Sequence, residues 1–175
     1  MEGPIPTSSF RGTYYRMFNQ ASKDPKLSGP YGRFHRLGDG ETTYAGATPQ
    51  TSEKEIKANL KGEFVPEAWR IMPVELALER VVDLRDRSVR RRLAVKKKEI
   101  LHPKRLERAQ QLGRRMRRQG VQGIVYESLR DPGQTNVVVF LENVVEGVHI
   151  RFGEPNALTR SSWAKGGRVG SERGP

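Results

Sequence analysis

The chain has 175 residues, enough for one domain with tails, and its 32 Lys and Arg exceed its 20 Asp and Glu to give a formal net charge of +12. It contains no cysteine, which excludes disulfide bonds, thiolate zinc sites and thiol nucleophiles, and its three scattered histidines lack metal-ligand spacing, so we expect no bound metal. No stretch approaches the roughly 20 apolar residues of a membrane span, and the N-terminus lacks a signal-peptide pattern, so we expect a cytoplasmic protein without membrane contact.

The N-terminal part of the chain is predicted to hold two short strands around a polar loop. Residues 1–11 carry Pro, Gly and Ser without periodicity, and we expect a flexible lead-in there. Alternating aromatic residues indicate a strand over 13–18, and a Thr-Thr-Tyr run indicates another over 41–46. Glycines and prolines over 29–40 are typical of a surface loop between them.

A helix is predicted to follow directly. Thr48 and Pro49 are typical of a helix start, since threonine caps the free N–H groups and the fixed φ of proline suits the first turn, and the helix should end near Gly62. Beyond it, the apolar runs at 71–78 and 81–84 have strand length, so we expect two strands there.

The excess charge lies in one stretch, residues 85–118, which we expect to be helical and call the basic segment. It carries fifteen Lys or Arg against three acidic residues, whereas the bases and acids of the rest of the chain balance. Such a segment suits salt-sensitive binding to the phosphates of a nucleic acid. It lacks the interleaved aromatic residues that stack on bases, however, and a solvated basic face is an equally simple interpretation.

The C-terminal half predicts a helix followed by a β-hairpin. Apolar residues recur at steps of three and four over 104–119, and Gly120 supplies the helix stop. The runs 121–129 and 135–144 read as two strands joined by an Arg-Asp-Pro-Gly-Gln turn. Strands on both sides of two helices, without regular βαβ alternation, predict a single α+β domain over 12–153, with a disordered tail at 154–175.

Four polar residues are candidates for a functional site, and each also has an ordinary structural interpretation. Arg33 in its loop suits bidentate binding of phosphate or carboxylate, but loop arginines are commonly solvated. Tyr44 in a strand suits either ring stacking or the core. Glu55 suits catalysis, although Ser52 and Glu55 also match a capping box. Ser128 precedes a turn, where serine is common for structural reasons.

The order and spacing of these four residues resemble the RES-domain family, named for its Arg, Glu and Ser. The resemblance runs from about Tyr14 to Phe140 through the stretches YYR, GRFH, TTYAGATPQTSEKEI, VVDLRD and QGVQGIVYESLRDPGQTNVVVF. Arg33, Tyr44 and Glu55 follow one another at equal intervals, as in the family pattern. The chain departs from that pattern at His35 and Arg36 and in its basic segment.

The resemblance implies a split, mainly antiparallel sheet with flanking helices, similar to ADP-ribosyltransferases, and an NAD⁺-consuming toxin of a toxin–antitoxin pair. Members of the family cleave NAD⁺ by hydrolysis or phosphorolysis or transfer ADP-ribose to a protein. The implied partner is an antitoxin with a DNA-binding helix-turn-helix. The basic segment would suit an acidic surface of such an antitoxin as its docking site. A non-catalytic nucleic-acid-binding protein remains the alternative.

The resemblance also assigns roles. Glu55 would stabilise the positive charge that develops on the ribose, because nicotinamide leaves as a neutral molecule and one carboxylate suffices without a general acid. Arg33 and Arg16 would hold the pyrophosphate or ribose hydroxyls of NAD⁺. Tyr44 would pack against the nicotinamide ring, and Ser128 would hydrogen-bond the nicotinamide or its ribose. The expected catalytic set is therefore Glu55, Arg33 and Ser128.

Overall fold

The computed structural model describes residues 4–158, which fold into a β-sheet with helices packed on it. The strands are β1 (Ser8–Asn19), β2 (Thr42–Gly46), β3 (Trp69–Asp83), β4 (Gly123–Glu127), β5 (Thr135–Phe140), β6 (Ile150–Phe152) and β7 (Asn156–Ala157). The helices are α1 (Pro49–Asn59), α2 (Arg87–Arg92), α3 (Lys97–Ile100) and α4 (Glu107–Arg118). The predicted α+β class is therefore confirmed.

The sheet consists of two antiparallel groups joined at two short seams. Strand β3 pairs with β1, β6 and β7, while β5 pairs with β2 and β4. The first seam is the single β1–β2 residue pair Tyr15 and Gly46, and the second is the short parallel pairing of β3 with β4 that starts at Val81 and Gly123. The sheet is thus mainly antiparallel, as predicted, but it is connected rather than split.

Side chains alternate across this sheet and build a core on each of its faces. On β5, Val138 and Phe140 enter a core cluster with helices α2 to α4, whereas Val137 and Val139 enter a second cluster with β1, β3 and β6. Helix α4 adds Ala109, Leu112 and Met116 to the first cluster, as its apolar spacing predicts. Each fully buried aliphatic side chain of this kind contributes about 1.5–3 kcal/mol of transfer free energy.

The β4–β5 hairpin and the start of α1 match their predictions. Strands β4 and β5 pair in register from Gly123 with Val139 to Glu127 with Thr135. At the helix start, the Thr48 hydroxyl accepts a hydrogen bond from the Thr51 N–H, and proline occupies the first turn. Helix α1 ends at Asn59, three residues before the predicted stop, because the backbone of Leu60 is already extended.

Strand β3 differs from the sequence prediction. The expected strands at 71–78 and 81–84 form one continuous strand, in spite of the polar step at Glu79 and Arg80. The side chain of Gln122 explains the continuity, since its Oε1 accepts hydrogen bonds from the backbone N–H groups of Glu79 and Arg80 at 2.7 and 3.1 Å. Strand β1, which pairs with β3, is also long.

Three other boundaries also differ. Strand β1 begins at Ser8, within the predicted flexible lead-in 1–11, because its first residues pair with β3. The basic segment is helical, as predicted, but it forms two short helices, α2 and α3, before α4. Of the predicted disordered tail, residues 156–157 form β7, and 159–175 lie outside the described residues.

Helix α4 contacts the loop before β2 at Gly113, where no side chain fits. A Cβ built on Gly113 would lie 2.0 Å from the carbonyl oxygen of Phe34, an atom of the backbone that cannot rotate away. Phe34 is itself fully buried, so this contact fixes the backbone next to Arg33 against the helix.

We predict that Gly113→Ala lowers the melting temperature in a thermal unfolding experiment. Alanine ordinarily stabilises a helix by about 1 kcal/mol relative to glycine, but overpacking costs about 1–3 kcal/mol and here also displaces the Arg33 loop. The matched control is Gly29→Ala, whose added Cβ meets no atom within 4 Å. A Gly113→Ala protein that melts at or above the wild-type temperature would contradict this packing.

Candidate active site

Glu55 on α1 is held by two side chains from the β4–β5 hairpin. Its Oε1 accepts one hydrogen bond from Ser128 Oγ at 2.6 Å and another from Asn136 Nδ2 at 2.7 Å. The capping-box interpretation of Glu55 is wrong, because Thr48, not Ser52, caps the helix. The carboxylate is half-buried and faces the sheet.

Ser128 is a turn residue and also a hydrogen-bond partner of Glu55, while its expected contact with a ligand stays a prediction. Its side chain is buried, with 5% of its surface exposed. Besides donating to Glu55, the Oγ accepts hydrogen bonds from the backbone N–H groups of Arg130 at 3.2 Å and Asp131 at 3.0 Å. The turn therefore sets the direction in which the serine hydroxyl points.

Helix α1 is fixed to the sheet by further contacts around Ser52 and Asp131. The Ser52 hydroxyl donates to the Tyr15 carbonyl and accepts from the Gly46 N–H. On the hairpin side, Asp131 accepts from Thr51 Oγ1 at 2.8 Å and from Lys54 Nζ at 2.6 Å. These hydrogen bonds, Lys54 first, lower the pKa of Asp131, and they connect α1 to the turn that carries Ser128.

Asn136 is a site residue that the sequence prediction missed. It lies on β5 opposite Tyr126 and Gly46, and 4% of its surface is exposed. Its Oδ1 has no hydrogen-bond partner among the described residues. The signal was available in the run Thr-Asn-Val-Val-Val-Phe, since alternation places residue 136 on the same buried face as Val138 and Phe140, where an amide is unusual.

Arg33 lies on the loop before β2 and is anchored to the basic segment. Its Nη1 donates to the carbonyl oxygens of Ile100 at 2.9 Å and His102 at 3.0 Å. No hydrogen bond from Nε or Nη2 is found among residues 4–158. These two nitrogens of the half-buried guanidinium therefore remain available to an anionic ligand.

Tyr44 and His35 hold this loop in place. The Tyr44 hydroxyl accepts from the Phe34 N–H at 2.9 Å and lies 3.1 Å from His35 Nδ1, whose Nε2 is 2.7 Å from the Gly29 carbonyl. A carbonyl can only accept, so Nε2 carries the proton and Tyr44 donates to Nδ1 of a neutral ring. Gly32 leaves the space for it, since a Cβ there would lie 2.6 Å from the imidazole.

The pKa shifts of both side chains agree with a neutral imidazole and a protonated phenol. Burial lowers the pKa of His35; the hydrogen bond to the Gly29 carbonyl, the next-largest effect, raises it, Arg117 lowers it and Asp39 raises it, and the net shift is downward. Burial raises the pKa of Tyr44, so its hydroxyl stays protonated. His35, where the chain departs from the family pattern, is thus a buried structural residue.

Arg16 is buried and holds a loop, and its expected role as a ligand-binding residue stays a prediction. Only 8% of its surface is exposed. Its nitrogens donate to the backbone oxygens of Pro25, Leu27 and Tyr44 and to Ser28 Oγ. Burial lowers the pKa of Arg16 to about 10. The side chain ties the loop over 25–28 to β2.

Tyr126 places the two halves of the site on one face of the sheet. It is buried on β4 and packs edge-to-face on Phe34, with 5.0 Å between ring centroids. Burial raises the pKa of Tyr126; Tyr44 and Glu55 raise it further, while Arg33 lowers it. Glu55 and Arg33 are therefore both near enough to this buried tyrosine to affect its pKa, in opposite directions.

The basic segment forms a surface next to the Arg33 anchor. Eleven of its fifteen Lys and Arg side chains are exposed, whereas Arg117 is buried over the Phe140 ring. A cavity of about 480 Å³ opens between α3 and α4 and includes Lys98, His102, Arg105 and Arg108. His102 also provides one of the two carbonyls that bind Arg33, so this surface adjoins the candidate site.

Within residues 4–158, no helix is long and apolar enough to span a bilayer. No cluster of three or more His, Asp or Glu in that part of the chain is arranged as a metal site. The expected absence of a metal stays a prediction.

The chain was compared with known protein families, curated proteins and solved structures. A family model described as RES domain matches residues 8–160. Comparison with curated proteins gave no match. Among solved structures, the fold is similar to a chain of the crystal structure of the M. tuberculosis MbcT–MbcA toxin–antitoxin complex, with a TM-score of 0.74, 17% identity and 90% coverage of each chain.

We predict that His35 makes the protein less stable in mild acid. Because its pKa is lowered in the native state, the unfolded chain binds more protons below about pH 6.5, and the free energy of unfolding should fall with pH there. Denaturant unfolding at pH 7 and pH 5 should show a smaller difference for His35→Gln than for the wild type. His102→Gln and His149→Gln are the controls, and an unchanged difference in the His35 variant would refute the assignment.

Proposed function

Because the chain belongs to the RES-domain family, we propose that it is the toxin of a toxin–antitoxin pair and cleaves the nicotinamide–ribose bond of NAD⁺. The observation that carries this proposal is the Glu55 carboxylate, held by Ser128 and Asn136 beside two tyrosines and an anchored arginine. RES-domain toxins use NAD⁺ in general. The likeness to the MbcT–MbcA structure supports the same assignment through the fold.

One fixed carboxylate suits this reaction. When the bond between ribose C1′ and the pyridinium nitrogen breaks, both electrons go to the nitrogen, and nicotinamide leaves neutral without needing a proton. Positive charge develops on the ribose, where a preorganised anion stabilises it by about 3–4 kcal/mol. Glu55 is half-buried and cannot rotate freely, because two donors hold it. It therefore keeps its negative charge directed at the site without reorganisation.

The remaining residues bind and orient the substrate. Arg33 offers Nε and Nη2 to the pyrophosphate, since Nη1 already binds two backbone carbonyls. Tyr44 presents a half-buried ring to the nicotinamide while its hydroxyl fixes the Arg33 loop. Ser128 orients Glu55 and lies beside the nicotinamide ribose. Arg16 holds β2 and the loop at 25–28 together through hydrogen bonds to their backbone oxygens.

Cleavage of the nicotinamide–ribose bond is the same whichever of three acceptors then takes the ribose. Water, inorganic phosphate or a protein side chain attacks C1′ through an oxygen or nitrogen atom, and a water or alcohol gives up its proton to the Glu55 carboxylate. NAD⁺ hydrolysis, phosphorolysis and ADP-ribosyl transfer therefore differ only in the nucleophile. As part of the same proposal, the fold is similar to that of ADP-ribosyltransferases.

The proposed partner is a protein antitoxin with a DNA-binding helix-turn-helix. In the similar structure, the protein complexed with the toxin MbcT is an antitoxin, MbcA. The exposed cations of the basic segment suit an acidic protein surface, and that surface adjoins Arg33, so a partner bound there would also cover the site.

We expect the purified protein, freed of antitoxin, to consume NAD⁺ and release nicotinamide, measured by chromatography with water, phosphate or cell lysate as acceptor. Glu55→Gln should reduce the rate at least about 100-fold, because glutamine keeps the shape but not the charge. Glu53→Gln is the matched control on the same helix, since Glu53 pairs with Lys57. Failure of the wild type to release nicotinamide with every acceptor would overturn the proposal.

The alternative function, nucleic-acid binding without catalysis, has its own test. The exposed cations of the basic segment favour it. It predicts that affinity for a DNA or RNA duplex falls steeply between low and moderate salt and is lost when Arg90, Arg91, Arg92 and Lys96, Lys97, Lys98 are neutralised together. Binding that survives those substitutions would exclude the basic segment as the nucleic-acid surface.

A further inference from the structure

Two hydrogen-bond donors meet at one oxygen of Glu55. Both Ser128 Oγ and Asn136 Nδ2 donate to Oε1, at 2.6 and 2.7 Å. No donor to Oε2 is found among the described residues. The two oxygens of the carboxylate are therefore not equivalent: Oε1 is occupied by the protein, and Oε2 is left for a ligand.

The amide oxygen of Asn136, unlike its nitrogen, is unfavourable for the stability of the fold. Its Oδ1 is buried and has no partner in the part of the chain that the structure describes. A buried acceptor without a hydrogen bond costs about 1–3 kcal/mol. The neighbouring positions on the strand are Val137, Val138 and Val139, so an apolar residue at 136 would suit this buried strand better.

We propose that Asn136 is a positioning residue for Glu55, retained for its Nδ2 donor at the expense of stability. It acts with Ser128 to hold Oε1, so that Oε2 faces the reacting ribose. Ser128 approaches from the turn and Asn136 from the strand, and two donors from different elements fix the plane of the carboxylate, which one donor would leave free to rotate. This inference rests on the proposed cleavage of NAD⁺.

The first test separates this role from a structural one. Asn136→Leu keeps the approximate size, removes the donor and removes the unpartnered oxygen. We expect its melting temperature to equal or exceed that of the wild type, while kcat for nicotinamide release falls about 100-fold, the effect of a small misplacement of a catalytic group. KM should change little, because Asn136 holds Glu55 rather than the substrate.

The control is Asn143→Leu. Asn143 also donates through its Nδ2, but to the backbone carbonyls of Arg117 and Val121, away from Glu55. It should show the opposite result, a lower melting temperature with kcat unchanged in the folded protein. Equal losses of stability in the two variants, or a normal kcat in Asn136→Leu, would overturn the proposal.

The second test uses Asn136→Asp, which has the same shape. At neutral pH its carboxylate repels Glu55 at hydrogen-bond distance, and kcat should be lower than in the leucine variant. As the pH falls, the pair takes up one proton, and a protonated carboxyl group can again donate to the other. The ratio of kcat in the Asn136→Asp variant to kcat in the wild type should therefore rise in acid, and a ratio independent of pH would contradict the positioning role.

These results also distinguish failure of this inference from failure of the proposed function. A wild-type protein that releases no nicotinamide overturns both. A wild-type protein that is active, together with an Asn136→Leu variant of equal kcat, overturns only the role of Asn136.

Discussion

The contact between Gly46 and Ser52 is the constraint on which the site depends. A Cβ on Gly46 would lie 2.8 Å from Ser52 Oγ and 2.9 Å from Ser52 N, so helix α1 contacts the end of β2 only because this residue is glycine. Gly46 also forms the single residue pair between β1 and β2, with Tyr15, whose carbonyl accepts from the same serine. One junction thus closes the sheet and sets α1 on it, which brings Glu55, one turn later, to Ser128 and Asn136.

The arginine half of the site depends on a second close approach. At Gly113, helix α4 meets the Phe34 backbone, and the Tyr44 hydroxyl holds the same peptide from the sheet side. The anion on α1 and the cation on the loop are therefore positioned by different elements that share one sheet face. Such an arrangement fits a substrate with a cationic leaving group at one end and an anionic pyrophosphate at the other, which is the charge pattern of NAD⁺.

The local signals of the sequence predicted the helix starting at Thr48, the β4–β5 hairpin and the apolar face of α4, because each depends on neighbouring residues. The continuity of β3 could not be predicted, since it requires a side chain 42 residues away, Gln122, to bind the Arg80 N–H. The association of Glu55 with Ser128 came from family resemblance. The backbone carbonyls that bind Arg16 could not be predicted either, because the loop over 25–28 approaches it only in the fold.

The proposed roles of the other residues all depend on NAD⁺ binding with its nicotinamide ribose at Glu55. A crystal structure of the Glu55→Gln variant with NAD⁺ is the decisive experiment, because the variant should bind the substrate without cleaving it. We predict that ribose C1′ lies beside the side chain of residue 55, on the oxygen or nitrogen not held by Ser128, with the pyrophosphate at Arg33. NAD⁺ bound in the cavity between α3 and α4, or no binding at millimolar NAD⁺, would contradict it.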